Sequence, residues 1–176
     1  MLVGCGIVGD VRAISDSDAG GDIAARAPFD EFFGREYPAC IRLAWLLSHG
    51  SIDHEDIAQD AFVGVQRRYE ALENAAAYLR VCVVNGCRQH HRRFQREAAR
   101  TRRVAAEWAD ADSSDVGLLS AIGCLPYDQR AVLVLRYWSD LPDNEIASLL
   151  RIRPATVRTR HHRALNTLRK DWNRDY

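Results

Sequence analysis

Four side chains near the carboxyl end of the chain have the types and spacing that suit contact with DNA. They are Arg158, Thr159, His162 and Arg163. In a helix they share one side, because positions three and four apart are neighbours on its surface. Their guanidinium, hydroxyl and imidazole groups can reach guanine edges and phosphate oxygens in a major groove. The pattern predicts a DNA-reading helix; the alternative is an amphipathic surface helix with a solvated basic face.

Two amphipathic helices joined by a short connection would position these side chains. The connection, Arg151 to Arg153, has three residues, and Pro154 suits a first helical position, which needs no amide donor. Residues 142–170 therefore predict a helix-turn-helix. The apolar residues that recur at helical spacing on its two sides are Ile146, Leu149 and Leu150, then Val157, His161, Ala164, Leu165 and Leu168.

A second basic segment, residues 80–103, contains eight arginines and one acidic residue. Asn85, Arg88, Arg92 and Arg93 lie within it, among glutamine, histidine and phenylalanine side chains. Such groups can hydrogen-bond to bases or stack on them while the arginines hold phosphates. The segment predicts a nucleic-acid surface on a long helix, although a run of this kind is also typical of a solvated helix face.

An acidic helix precedes these basic segments. Asp53 is expected to cap a helix that runs to about Tyr69. Asp56, Gln59 and Asp60 follow at i, i+3 and i+4, so they are predicted to share its exposed side. Their carboxylates could contact a protein partner, or could simply favour the positive end of their own helix.

The formal net charge is zero, but the charges are unevenly distributed. Residues 1–60 hold 4 arginines against 11 acidic residues, and residues 61–176 hold 20 basic against 13 acidic residues. The two parts thus carry −7 and +7. A neutral total therefore does not argue against DNA binding.

Cysteine usage and hydropathy exclude several classes of protein. The five cysteines form no C-x-x-C pair, so neither a disulfide framework nor a zinc site is expected. Cys40, Cys82 and Cys124 lie among apolar residues and are predicted to be small core residues. No apolar run approaches the roughly 18 residues that span a bilayer, and no signal peptide is evident. We expect a cytoplasmic protein.

An enzymatic interpretation rests on glycine and histidine motifs that are poorly placed. Gly4 to Gly9 matches G-x-G-x-x-G, but dinucleotide binding needs a preceding strand, and only three residues precede Gly4. The adjacent pairs His90/His91 and His161/His162 would point to different helix faces and chelate poorly. We expect no catalytic residues, no metal and no cofactor.

The chain is predicted to be all-α, because helical periodicity runs from Phe29 onward and no segment alternates convincingly as a strand. A first helix should span Phe29 to Ser48, with Pro38 kinking or dividing it. The predicted organisation is two small helical domains joined by a flexible acidic linker. Its parts are a flexible extension (1–28), a first domain (29–98), the linker (99–117) and a second domain containing the helix-turn-helix (118–174).

In this order the features resemble the extracytoplasmic-function sigma factors, two-domain subunits of bacterial RNA polymerase, and among them the SigE-like actinobacterial type. Residues 29–48 and 54–69 are similar to the start of the family's first domain. Residues 75–93, AAAYLRVCVVNGCRQHHRR, resemble its promoter-melting helix. Residues 125–170 resemble the second domain almost end to end, and LPYDQRAVLVLRY is their most specific part.

The resemblance implies a role for each surface and for the linker. The acidic helix, with Asp56, Gln59 and Asp60, would bind the clamp of core RNA polymerase, a partner built from β and β′ subunits. The linker would thread through the polymerase, and an anti-sigma factor is a further candidate partner. Unpaired −10 bases would be held by Asn85, Arg88, Arg92 and Arg93 with residues 72–76, and the −35 element by Arg158, Thr159, His162 and Arg163.

Three residues depart from the family's pattern, and two rival functions stay open. Arg151 stands where the family usually has glycine in the turn, so a non-glycine residue is expected to adopt positive φ. Arg153 and Pro142 replace the usual small polar caps. The rivals are a helix-turn-helix regulator acting without polymerase, which would be expected to carry a ligand-binding or dimerising domain, and a small enzyme.

Overall fold

The computed structural model describes residues 27–51, 53–100 and 116–172, and these contain seven α-helices and one short 3-10 helix. Most of the predicted extension and most of the predicted linker lie outside the described residues. The α-helices are α1 Phe29–Ser48, α2 His54–Gln66, α3 Ala75–Arg100, α4 Val116–Cys124, α5 Tyr127–Tyr137, α6 Asp143–Leu150 and α7 Pro154–Trp172, and the 3-10 helix is Tyr69–Ala71.

The first three helices pack against one another around an aromatic and aliphatic core. Phe32 on α1 meets Phe62 on α2 edge to face, with ring centroids 6.3 Å apart. Leu47, Val65 and Val83 are completely buried between the helices. Such burial of apolar surface contributes most of the stability of a small helical unit.

Three details of the sequence prediction for residues 29–98 can be compared with the structure. Pro38 lies within an uninterrupted α1 and does not divide it. α2 ends at Gln66 and the 3-10 helix takes over at Tyr69, so the predicted single helix to Tyr69 was too long. Asp53 stands at the N-cap of α2 but its side chain makes no capping hydrogen bond. It instead pairs with the His90 imidazole at 3.3 Å.

Helices α4 to α7 make up the predicted second domain, and α6 and α7 are the predicted helix-turn-helix. Ile146 of α6 and Val157 of α7 are completely buried against α5. Arg151 has φ +54° at the end of α6, which confirms the expected left-handed turn residue. α3 continues to Arg100 and α4 begins at Val116, so helix extends two residues into each end of the predicted linker.

The two domains are packed together, which the sequence did not predict. α5 contacts both α1 and α3, and α4 contacts α1. One continuous apolar cluster therefore includes Leu47 and Val84 of the first domain and Tyr127 and Val134 of the second. No helix in the described ranges combines the length and apolar character needed to cross a membrane.

Candidate nucleic-acid and polymerase interfaces

The recognition surface, defined here as Arg158, Thr159, His162 and Arg163, lies on α7 and is exposed at all four positions. The opposite side of α7 is anchored, because Val157 and Ala164 are completely buried. The turn before α7 is closed by backbone hydrogen bonds from Ile152 N to Ala147 O and from Thr156 N to Arg153 O. The predicted side chains are thus presented together on a fixed helix.

Hydrogen bonds already orient two members of the recognition surface. The Thr159 hydroxyl donates to Ala155 O at 3.0 Å, which leaves its oxygen lone pairs and methyl group for a partner. His162 Nε2 lies 3.0 Å from Asn166 Nδ2, one turn along. Within the described residues, the guanidinium groups of Arg158 and Arg163 form no ion pair, so both are available to an anionic ligand.

Two ion pairs that position the helix-turn-helix were missed by the sequence reasoning. Arg160 Nη2 contacts Asp128 Oδ2 at 2.8 Å and ties α7 to α5. Arg136 pairs with Asp143 and ties α5 to the start of α6. The Arg136–Asp143 pair joins residues seven positions apart, so their opposite charges could have suggested it. The Arg160–Asp128 pair joins residues 32 positions apart, and no local sequence pattern indicates it.

The basic surface of α3 was predicted as Asn85, Arg88, Arg92 and Arg93, and the structure brings three of these together. Asn85, Arg88 and Arg92 follow at i, i+3 and i+7, hence on one flank of the helix. Asn85 and Arg88 are half-buried, and Arg92 is exposed. Arg93 lies elsewhere on the helix, where its Nε donates to Glu97 Oε1 at 2.9 Å. It therefore does not join the others on that flank.

The start of α3 is fixed by a residue that the sequence reasoning did not single out. Asn74 Oδ1 accepts a hydrogen bond from the Ala77 amide at 2.9 Å, the usual N-cap contact. Leu72 before it is extended, with φ −86° and ψ +126°. Residues 72–76 thus make a defined corner that leads into the basic surface. An asparagine just ahead of a helical segment was the available signal.

The acidic face, defined as Asp56, Gln59 and Asp60, is exposed along α2. Ala58 and Phe62 are buried on the other side of the same helix. Among the described residues, neither carboxylate takes part in an ion pair within the chain. The face is therefore negative, uncompensated and carried by a helix whose opposite side is fixed in the core.

Two of the described cysteines, Cys40 and Cys87, are buried thiols. Burial raises the pKa of the Cys87 thiol to about 12, and burial beside Cys82 raises that of Cys40 to about 12. Thiolate is therefore scarce at neutral pH for both residues. Cys124 is exposed, so its prediction as a core residue was wrong. It occupies the last position of α4, where the side chain turns away from the core.

Both predicted histidine pairs divide between separate contacts. His90 Nε2 lies 3.3 Å from Ser51 Oγ, whereas His91 stacks on Tyr127. His161 Nε2 lies 3.0 Å from Tyr137 Oη, whereas His162 faces outward. Within the described ranges, no group of three or more His, Cys, Asp or Glu side chains could hold a metal ion.

Comparison with known proteins gives a consistent result across the chain. Two family models match it, Sigma-70 region 2 over residues 32–97 and Sigma-70, region 4 over residues 116–168. The RNA polymerase sigma-E factor of Streptomyces coelicolor is 29% identical over 150 residues, which cover 81% of this chain and 85% of that protein. The ECF RNA polymerase sigma factor SigM of Mycobacterium tuberculosis is 30% identical over 148 residues, covering 79% and 74%.

Solved structures share the fold. The sigma factor RpoE of Bartonella quintana, in complex with the anti-sigma factor NepR, superposes with a TM-score of 0.68 at 23% identity, covering 84% of this chain and 98% of that one. CnrH, in complex with the cytosolic domain of CnrY, gives a TM-score of 0.62 at 22% identity, covering 84% and 89%.

Proposed function

The chain belongs to the extracytoplasmic-function group of the sigma-70 family, and from that premise we propose which of its residues carry out the family's work. Proteins of this family bind core RNA polymerase and recognise the −10 and −35 promoter elements through regions 2 and 4. They are regulatory proteins rather than enzymes. The first domain contains the region 2 match and the second the region 4 match.

We propose that the recognition surface binds the −35 element, with α7 in the major groove. Its four side chains are exposed, and the opposite side of α7 is buried. Arg158 and Arg163 offer planar guanidinium forks that suit guanine edges or phosphates. The ion pair of Arg160 with Asp128 and the closed turn fix the helix, so little side-chain or backbone ordering remains to be done on binding.

For the −10 element we propose the flank of α3 that carries Asn85, Arg88 and Arg92, together with residues 72–76. Asn85 has an amide that can pair with the edge of an unpaired base, and the two arginines can hold the backbone beside it. Arg93 lies on another side of the helix, where it is paired with Glu97. It therefore contributes charge to this region but is not assigned a base contact. Strand separation would have to precede base contact, because the edge of a paired base is engaged by its partner strand.

The acidic face is proposed as the contact with core polymerase in the cytoplasm. The observation that supports this most directly is that Asp56, Gln59 and Asp60 are all exposed on one side of a helix anchored on the other. Unpaired carboxylates at a surface attract a basic partner and favour correct docking over wrong docking.

Replacing Asp56 and Asp60 together by Asn tests this assignment. Core affinity is expected to fall at least tenfold, because the change removes two charges from an interface that depends on charge complementarity. Fluorescence anisotropy of the labelled chain titrated with core polymerase measures the affinity, and circular dichroism checks the fold.

A matched control removes two carboxylates at another helix start. Asp30→Asn with Glu31→Gln changes the first turn of α1, where both side chains are exposed. It should leave core affinity within twofold of the parent. Equal affinities for a folded Asp56/Asp60 variant and the parent would contradict the proposed contact.

An inhibitory partner is a further proposal. The structure of the Bartonella relative contains an anti-sigma factor, and this chain has the same fold. We therefore propose that a protein of that kind binds this chain as well. Co-purification from the native cells, scored for a small partner that is displaced when core polymerase binds, would test it.

A further inference from the structure

Helix α7 has two flanks that lie between its buried side and the recognition surface. Arg160 and His161 are half-buried, and each adjoins one edge of the recognition surface. The completely buried Val157 and Ala164 lie between them on the other side of the helix. An α-helix with its side chains is about 10 to 12 Å in diameter, and the major groove is about 12 Å wide. The flanks of a helix in the groove therefore face the two sugar–phosphate walls.

On the first flank, the arginine is already paired within the chain. Arg160 Nη2 lies 2.8 Å from Asp128 Oδ2, and this ion pair holds the arginine against α5. Its charge is compensated there, so the Arg160 flank positions α7 and offers less to a phosphate than the opposite flank does.

On the second flank, an exposed tyrosine from α5 lies beside His161. Tyr137 is the last residue of α5, and its side chain is 59% exposed. Its Oη lies 3.0 Å from His161 Nε2, and the two rings are tilted by 34° with centroids 5.9 Å apart. The hydrogen bond holds the phenol group beside α7 although most of the ring faces solvent. Part of the cost of ordering this side chain is therefore met before any ligand binds.

The charges around the Tyr137 hydroxyl suit an anionic ligand. Asp143, which acts electrostatically on His161, is paired with Arg136. Arg158 lies about one turn before His161 on α7, is exposed, and forms no ion pair within the described residues. Two arginines against one aspartate leave these side chains with a net positive charge, which attracts a phosphate.

The hydrogen shared by the two rings decides what Tyr137 can donate. Burial and then the nearby Arg136 lower the pKa of His161, and Asp143 opposes them. The imidazole is therefore mostly neutral at neutral pH and carries one ring hydrogen. When that hydrogen is on Nε2, the imidazole donates to Tyr137 Oη, and the phenolic hydrogen is free for another acceptor. A phosphate oxygen suits it, because ionised acceptors form the stronger hydrogen bonds.

We propose that the Tyr137 hydroxyl donates to a backbone phosphate beside the −35 element, and that His161 positions this hydroxyl. Tyr137 is the contact residue, and His161 acts through it. The proposal rests on the placement of α7 at the −35 element, and it adds the end of α5 to the DNA-binding surface. Because every base pair carries the same phosphates, the contact strengthens binding without a base preference.

Tyr137→Phe tests the contact, because it removes the hydroxyl and keeps the ring. At about pH 8, where histidine is neutral, the reconstituted holoenzyme should bind promoter DNA at least about threefold more weakly than the parent. The loss should be equal on promoters with different −35 sequences. The salt dependence should stay that of the parent, because a neutral hydroxyl displaces no counterion. Tyr37→Phe, the same loss of a hydroxyl on α1, is the matched control and should leave promoter affinity unchanged.

Promoters that carry one uncharged methylphosphonate at a time identify the phosphate. Substitution at the contacted position should weaken the parent holoenzyme more than the Tyr137→Phe holoenzyme, because the variant has already lost the hydrogen bond. A Tyr137→Phe holoenzyme with the parent's sensitivity at every position would overturn the phosphate contact.

His161→Phe tests the positioning role, because it keeps a ring beside Tyr137 but removes both ring nitrogens. The variant should bind promoter DNA more weakly than the parent, whereas the double variant with Tyr137→Phe should bind as Tyr137→Phe alone does. His161→Gln, whose amide can still donate to Tyr137 Oη, should recover part of the loss. Circular dichroism checks the helicity of each variant. Additive losses in the double variant would overturn the action of His161 through Tyr137.

Arg158→Ala distinguishes failure of this contact from failure of the −35 assignment. Weakened binding by Arg158→Ala with unchanged binding by Tyr137→Phe would overturn the phosphate contact alone. Unchanged promoter binding by both variants would overturn the phosphate contact together with the placement of α7 at the −35 element.

Discussion

Arg158 and Arg163 are the side chains whose chemistry bears most directly on promoter choice. Both are exposed on α7, and within the described residues neither is held by an acidic side chain. Their neighbour Arg160 is different, because Asp128 holds it against α5 at 2.8 Å. Three arginines within six positions thus have two roles, with Arg160 positioning the helix and the other two free to meet DNA.

Arg158→Ala and Arg163→Ala should each weaken −35 recognition by about 1 to 3 kcal/mol. A base contact would relax the preference at one base pair, whereas a phosphate contact would weaken all sequences alike and flatten the salt dependence. Binding of the reconstituted holoenzyme to promoter variants at several salt concentrations separates the two cases. Arg67→Ala, an exposed arginine at the end of α2, serves as the control. Full promoter binding by both α7 variants would show that α7 does not read the −35 element.

Among the elements, the turn between α6 and α7 decides how the recognition surface is presented. Arg151 ends α6 with φ +54° and ψ +50°, and its amide donates to Ser148 O. Left-handed backbone costs a non-glycine residue about 1 kcal/mol or somewhat more. The chain tolerates this cost because Leu150 before the turn and Val157 after it are both buried and fix the angle between the helices.

Arg151→Gly should therefore stabilise the second domain slightly, by up to about 1 kcal/mol, because relief of the backbone strain outweighs the extra freedom that glycine gives the unfolded chain. Arg151→Val should destabilise it by more than about 1 kcal/mol, since a β-branched residue fits left-handed backbone poorly. Thermal unfolding followed by circular dichroism gives both values. Equal unfolding temperatures for the Arg151→Val and Arg151→Gly variants would show that the turn is not strained.

At the scale of the whole molecule, the docking of the two domains brings two histidines against one buried cation. Burial, and then the nearby Arg130, lower the pKa of His49. The pKa of His91 is lowered in the same order by burial, Arg130 and His90, against a smaller opposite effect of Asp128. Burial raises the pKa of Tyr127 above its ordinary range, so the hydroxyl stays protonated and remains a donor to Val84.

These shifts give the packing of the two domains a pH dependence of definite sign. A histidine whose pKa is lower when the domains are packed together binds fewer protons in that arrangement. Packing is therefore fully favoured above the ordinary histidine pKa of about 6.5 and weakens as the pH falls below it. The radius of gyration should increase as the pH is lowered from about 8 to about 5.5, while the helicity stays constant. A His49→Gln/His91→Gln variant should lose most of this dependence. A parent chain that stays equally compact at both pH values would show that the two histidines do not control the packing of the domains.

The sequence by itself determined the elements and their exposed sides, as the helix-turn-helix illustrates. Its two helices and its turn follow from apolar spacing around Ile146 and Val157 and from Pro154 at the first helical position. The acidic face and most of the α3 surface were found in the same way. Periodicity predicts the buried side of each helix because apolar residues three and four positions apart lie on the same side of it.

Tertiary structure alone decided how the elements meet. The contacts of Tyr127 with Val84 and of Gly123 with His49, and the pairing of Arg160 with Asp128, join residues separated by more than thirty positions. No local pattern encodes such partners, because each helix offers its apolar side to any surface of matching shape. The sequence therefore determined two helical units with acidic and basic faces. Only packing decided that the second unit lies against α3, since that choice depends on side-chain fit between distant segments.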